Sequence, residues 1–111
     1  PGLIRVQEGN PILQEELFGP LGMIMTFKND DEALKMANDI PFGLSDSVWT
    51  KDKKRQQLFI DHLESGSLSI NKSSSSDPRL PFGGTKTSGY GTELSLVALK
   101  EFVNVRTVVG K

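Results

Sequence analysis

The chain contains no cysteine and a single histidine, His62. Disulfides and cysteine-held metal sites are therefore excluded. So is a thiolate nucleophile drawn from these residues. His62 sits beside Asp61 and Glu64 in a predicted helix and reads as a surface residue, with no second imidazole to share a metal. No charge of one sign dominates, because 13 basic residues face 14 acidic ones. That balance gives no global attraction for nucleic acid or acidic membranes. The densest run, Lys51-Asp52-Lys53-Lys54-Arg55, reads as a solvated helix start. No apolar run approaches the about 20 residues of a membrane span. The opening residues lack the charged-then-apolar pattern of a signal peptide. These absences fit a cytoplasmic protein. The first residue is Pro1 rather than methionine, and the loop-like opening favours a piece excised from a longer polypeptide.

What is present fits one domain near the small end of the independent range. Residues 1–22 are rich in glycine and proline and read as extended loop, ending at Gly19-Pro20. Met23 to Phe27 is a short apolar run that suits a strand covered on both faces. Asn29 is placed to cap a helix, with Glu32 three residues on and acids in the first turn. Ala33, Leu34, Ala37 and Ile40 supply its apolar stripe, and Pro41-Phe42-Gly43 ends it. Ser45 to Thr50 is a second strand, and Trp49 is expected in the core. Lys53 to Ser65 reads as a second helix, with Leu58, Phe59 and Leu63 inward and Gly66 as its stop. Ser67 to Asn71 alternates as a third strand.

Strands alternating with helices over short connections argue for an α/β layer of parallel strands. Residues 92–102 form a third helix candidate. Val103 to Val109 reads as a final strand, with Val103, Val105, Thr107 and Val109 on one side. Left unpaired, such a strand is a sticky edge, so pairing with another sheet or a second copy is expected.

Two segments carry chemistry. The first is Glu15-Glu16-Leu17-Phe18-Gly19-Pro20, in a loop just before a strand. An ionised carboxylate is acceptor-only and can take hydrogen bonds from two vicinal hydroxyls. A neighbouring aromatic ring offers an apolar wall for a planar heterocycle. Acid plus aromatic on one loop suits a nucleotide ribose and its base, although two solvated acids in a turn are the plainer reading.

The second segment runs from Asn71 to Gly91, about 20 residues without periodicity. Loops beyond about 12–15 residues in compact domains are usually functional or disordered. Ser73 to Ser76 alone would suit a flexible linker. Pro78, Pro81 and Phe82, which stiffen or anchor, argue against that. Gly84-Thr85-Lys86-Thr87 is not a phosphate-binding P-loop, because Thr85 stands where glycine must precede the lysine. Gly89-Tyr90-Gly91 is not a dinucleotide fingerprint, because Leu94 occupies the third glycine position. Asn71-Lys72-Ser73 matches a glycosylation sequon by chance.

Taken together, the two segments resemble the aldehyde dehydrogenase superfamily. One is similar to its E-E-[IL]-F-G-P box. The other, Pro81-Phe82-Gly83-Gly84-Thr85-Lys86-Thr87-Ser88-Gly89-Tyr90-Gly91-Thr92-Glu93-Leu94, is similar to its P-F-G-G-x-K-x-S-G-x-G-x-E box. Asp46 to Asp52 and Leu63 to Asn71 also resemble the intervening segments, so the likeness covers essentially the whole chain. It implies that residues 1–102 are the C-terminal part of the catalytic domain and that 103–111 are an oligomerisation strand and tail.

The resemblance also implies roles. Glu16 would hold the nicotinamide ribose hydroxyls, and Phe18 would contact the nicotinamide side. Phe82 would shape the aldehyde tunnel. The cofactor implied is NAD or NADP, and the partners are a small aldehyde and a second copy of the chain. The family couples a cysteine nucleophile, through a thioester, to hydride transfer and glutamate-assisted hydrolysis. Nucleophile, general base and cofactor domain lie upstream of these boxes, so the 111 residues alone are expected to be inactive, with no catalytic residue of their own. Ser75-Ser76-Asp77-Pro78-Arg79-Leu80 is similar to succinate-semialdehyde dehydrogenases, which implies that Ser76 binds the substrate's distal carboxylate. In the family the partner cation comes from elsewhere, so Arg79 is given no role. Thr92 departs from the family's usual arginine, and Lys72 from its usual small or apolar residue. Alternatives are a related dehydrogenase with another acid or amine substrate, or a stand-alone, non-catalytic interaction module.

Overall fold

Residues 1–22, loop-like in composition, contain a strand. In the computed structural model, which describes residues 1–111, β1 (Gly2–Arg5) pairs in parallel with β2 (Leu21–Ile24), register Gly2↔Leu21 to Arg5↔Ile24. The pairing is extended at both ends: the Gly2 N–H donates to Pro20 O at 2.8 Å and the Val6 N–H to Ile24 O at 2.9 Å. Four residues among glycines show no period, so β1 is made by its distant partner. A 3-10 turn at Pro11–Gln14 breaks the connection, with Asn10 Oδ1 accepting from the Ile12 N–H. β2 begins two residues earlier than the apolar run suggested. It is not covered on both faces, since Leu21, Met23 and Ile24 are exposed.

Helix α1 (Asp30–Asn38) starts as its cap predicts. Asn29 Oδ1 accepts from the Glu32 N–H at 2.9 Å, and Glu32 Oε2 accepts from the Lys28 N–H at 2.5 Å. Leu34 is buried. Strand β3 (Phe42–Gly43) and β4 (Ser45–Val48) follow, then α2 (Lys53–His62), capped by Asp52 Oδ1 on the Lys54 and Arg55 N–H groups. β5 (Ser67–Ile70) lies parallel to β4, Ser45↔Ser67 to Val48↔Ile70. β6 (Thr85–Lys86) pairs antiparallel with β3. The α/β character and parallel pairing agree with the sequence, but the strands form three separate two-stranded sheets.

Helix α2 stops at His62, not at Gly66. The reason is tertiary: Asn38 of α1 donates from Nδ2 to His62 O at 2.8 Å and accepts the Glu64 N–H at 3.2 Å. Gly66 serves a different purpose, a close backbone approach to Gly83. The third helix is also shorter than its pattern. Leu94 and Ser95 have φ of 62° and 57°, so α3 is confined to Ser95–Ala98 and passes into a 3-10 turn at Leu99–Phe102. Residues 103–111 pair with nothing within the chain, and their side chains are exposed.

Only Val6, Leu34 and Ala98 are buried apolar side chains. Trp49 is 66% exposed rather than in the core. It lines a groove of about 430 Å³ with Met25, Phe27 and Phe59, facing no covering element. The radius of gyration is 18.0 Å, against about 13 Å for a self-contained domain of 100 residues.

One ion pair joins the starts of the two long helices. Arg55 donates from Nε to Asp30 Oδ2 at 2.8 Å, and its Nη2 also bonds Oδ1. The guanidinium holds the Asp30 carboxyl below its ordinary range. The folded state therefore favours the ionised form. Its stabilisation is present above the unfolded value of about 4 and is lost as pH falls through the lowered folded value. Melting curves of the intact protein should place Arg55→Met below the parent at neutral pH, with the gap closing below about pH 4. A gap that stays constant through that acid range would refute the assignment.

Candidate active-site cleft

The Glu15-Glu16 loop is set by the turn before it and the punctuation after it. The Glu15 N–H closes the 3-10 turn onto Ile12 O at 3.2 Å. Beyond it, the Gly19 N–H donates to Leu17 O and the Leu21 N–H to Gly19 O, which launches β2. Gln14 ties the loop to the end of α1, donating from Nε2 to Asp39 O at 2.9 Å. Glu16 lines a cleft of about 500 Å³ walled by Leu21 and Met23 of β2, Ala37 and Ile40 from the α1 side, and Lys86 and Ser88. Phe18 does not enter it. Its ring is 93% exposed.

The long loop of residues 71–91 is ordered by hydrogen bonds and is no linker. Ser74 Oγ donates to Asp46 O at 2.9 Å. Phe82 and Glu93 exchange backbone N–H bonds to each other's carbonyls, at 2.9 and 2.8 Å. Thr85 Oγ1 donates to Glu64 O at 2.6 Å, and Ser88 Oγ accepts from the Gly43 N–H at 2.9 Å. Phe82 is half-buried and lines a second cleft of about 430 Å³ with Tyr90, Glu93 and Phe102. The two clefts share Leu44 and Ser88 as a common wall. Ser76 is exposed and lines neither.

Arg79 is already engaged. Its Nε donates to Asp77 Oδ1 at 2.9 Å and its Nη2 to Oδ2 at 2.6 Å. That pairing holds the Asp77 carboxyl below its ordinary range. The structure thus brings Glu16 and Phe82 to adjoining clefts and leaves Phe18 and Ser76 outside them. Sequence reading did not find Gln14, Asn38 or Lys86 as site residues. In the sequence Lys86 is a rejected P-loop lysine and the lysine of the PFGG box, and nothing local announces that its ammonium meets the end of α1. Nowhere do three His, Cys, Asp or Glu side chains gather to hold a metal ion. No helix is long and apolar enough to cross a membrane.

Comparison with known proteins adds to this geometry. The profile described as "Aldehyde dehydrogenase family" matches residues 1–108. The chain belongs to the aldehyde dehydrogenase family. It is similar to "Probable succinate-semialdehyde dehydrogenase (NADP+)" of Synechocystis sp., 46% identical over 106 residues, covering 96% of this chain and 23% of that protein. It is similar also to "Succinate-semialdehyde dehydrogenase (NADP+) 1" of Mycobacterium bovis, 47% identical over 94 residues, covering 85% and 21%. The chain thus spans less than a quarter of the length of these relatives. Among solved structures it resembles succinic semialdehyde dehydrogenase of Streptococcus pyogenes in complex with NADP+. The TM-score is 0.86 at 38% identity, covering 92% of this chain and 23% of that one. It also resembles an indole-3-acetaldehyde dehydrogenase in complex with NAD+, TM-score 0.85 at 38% identity, covering 90% and 20%. The open, sparsely buried arrangement is therefore that of a segment of this family's fold.

Proposed function

We propose that the chain is part of an NAD(P)-dependent aldehyde dehydrogenase that oxidises succinate semialdehyde to the dicarboxylic acid. The observation that carries this is Glu16. Its carboxylate makes no hydrogen bond within the chain and borders a cleft of mixed lining, apolar at Leu21, Met23, Ala37 and Ile40 and polar at Asn38, Lys86 and Ser88. An acceptor-only group so placed fits two vicinal ribose hydroxyls. The residues present fit the nicotinamide riboside end of the cofactor, which supplies the hydride acceptor when bound. Phe18, exposed beside this loop, would contact the nicotinamide side. Phe82 would shape the path of the aldehyde at the adjoining cleft. Ser76, with a free hydroxyl, would bind the distal carboxylate, and its exposure leaves that hydroxyl open to a ligand. Residues 1–102 would complete the catalytic domain, and Val103 to Val109 would add a strand to a second copy, since Val105, Val108 and Val109 are exposed. The names of the succinate-semialdehyde relatives support the substrate.

The test is steady-state kinetics of the full-length protein that carries this segment. Succinate semialdehyde should be preferred over an uncharged aldehyde of equal length. Glu16→Gln should raise KM for the nucleotide about 10-fold or more, as expected for loss of a charged acceptor. Equal use of the uncharged aldehyde would reject the substrate, and an unchanged nucleotide KM would reject the role of Glu16.

A further inference from the structure

The end of α1 is gripped from two directions. From the Glu15-Glu16 side, Gln14 Nε2 donates to Asp39 O at 2.9 Å. From the Pro81-Phe82-Gly83-Gly84 side, Lys86 Nζ donates to Asn38 O at 2.6 Å and Ile40 O at 3.2 Å and pairs with Glu64 Oε2 at 2.8 Å. Three consecutive carbonyls at a helix C-terminus are thus met by one amide and one ammonium. Cations are favoured there because the last carbonyls lack intrahelical donors. An ammonium has three protons, and Lys86 has three acceptors. It has no donor left for a ligand, although it lines the same cleft as Glu16. Its φ of 53° shows how firmly the loop is held, since a side chain rarely rests there unless its surroundings insist. Next to it the Thr87 N–H donates to Pro41 O at 2.9 Å, and Thr87 Oγ1 bonds the same carbonyl.

We infer that Gln14 and Lys86 are positioning residues that set the distance across the cleft by fastening its two loops to the same helix end. Gln14 acts through Glu16, two residues further along the chain. Lys86 acts on the facing wall, and through residues 83–85 on Phe82. Neither touches the nucleotide. The inference rests on the role of Glu16 proposed above.

The experiment uses the full-length protein and compares Gln14→Met, Lys86→Met, Lys86→Arg and Glu16→Gln by nucleotide KM and kcat. Because each tether acts indirectly, the free energy of its hydrogen bonds is a ceiling: Gln14→Met should raise nucleotide KM by up to about threefold and Lys86→Met by up to about tenfold. Lys86→Arg, which keeps donors and charge, should recover most of the loss. A purely structural role would instead lower the active fraction, so that apparent kcat falls while KM stays put. That result in both methionine variants, with Glu16→Gln still raising KM, overturns the inference and leaves the reading of Glu16 standing. An unchanged KM in Glu16→Gln overturns the reading of Glu16 and, with it, the inference.

Discussion

Replacing Gly66 by alanine in the intact protein is expected to cost about 3 kcal/mol or more of stability, as overpacking against rigid atoms does at its upper range. A Cβ there would lie 2.8 Å from the carbonyl carbon of Gly83 and closer still to its oxygen. Both are backbone atoms, so no rotamer relieves the clash. The neighbouring geometry is also committed: the Gly66 N–H donates to Gly43 O at 3.0 Å, aligning the start of β5 with β4. Moving Gly83 away would disturb Phe82, whose backbone is bonded both ways to Glu93. Gly19→Ala is the control. Nothing lies within 4 Å of its Cβ position, and the change should stay within about 0.5 kcal/mol. Thermal or urea unfolding of the two variants decides the matter. Equal stabilities would mean that Gly66 and Gly83 are not in contact.

The 111 residues expressed by themselves should show no cooperative melt and no NAD(P)-dependent oxidation of succinate semialdehyde. Ordering the backbone costs about 1–2 kcal/mol per residue. Against that cost stand three buried apolar side chains. The exposed apolar surface, including Leu21, Met23, Phe27 and Trp49, would drive the isolated chain to associate. The expected lack of turnover has a separate ground: these residues include no cysteine that could attack an aldehyde carbonyl. Calorimetry, light scattering and an absorbance assay at the reduced-nicotinamide band test the three statements separately. A sharp two-state transition would refute the first, a strictly monomeric species at high concentration the second, and turnover of the pure chain the third.

Features that depend on a few neighbouring residues were legible in the sequence. Asn29 and Glu32 announced the start of α1 because a cap acts within one turn. The alternation of Ser67 to Ile70 announced β5. Glu16 was singled out by the likeness of residues 15–20 to the family's E-E-[IL]-F-G-P box, and family membership followed from two boxes read in order.

Tertiary structure decided the rest. β1 exists because β2, about twenty residues away, supplies its partner. α2 ends at His62 because a side chain of α1 takes over there. Trp49, read as core from its type alone, is exposed because nothing in these residues covers it. Lys86 became part of the site through carbonyls 46 and 48 positions back along the chain. The physical reason is range. Caps and periodicity are paid for within about four residues and can be read from them. Strand pairing, close backbone approach and a lysine's choice of acceptor depend on which distant atoms arrive, which no local pattern records.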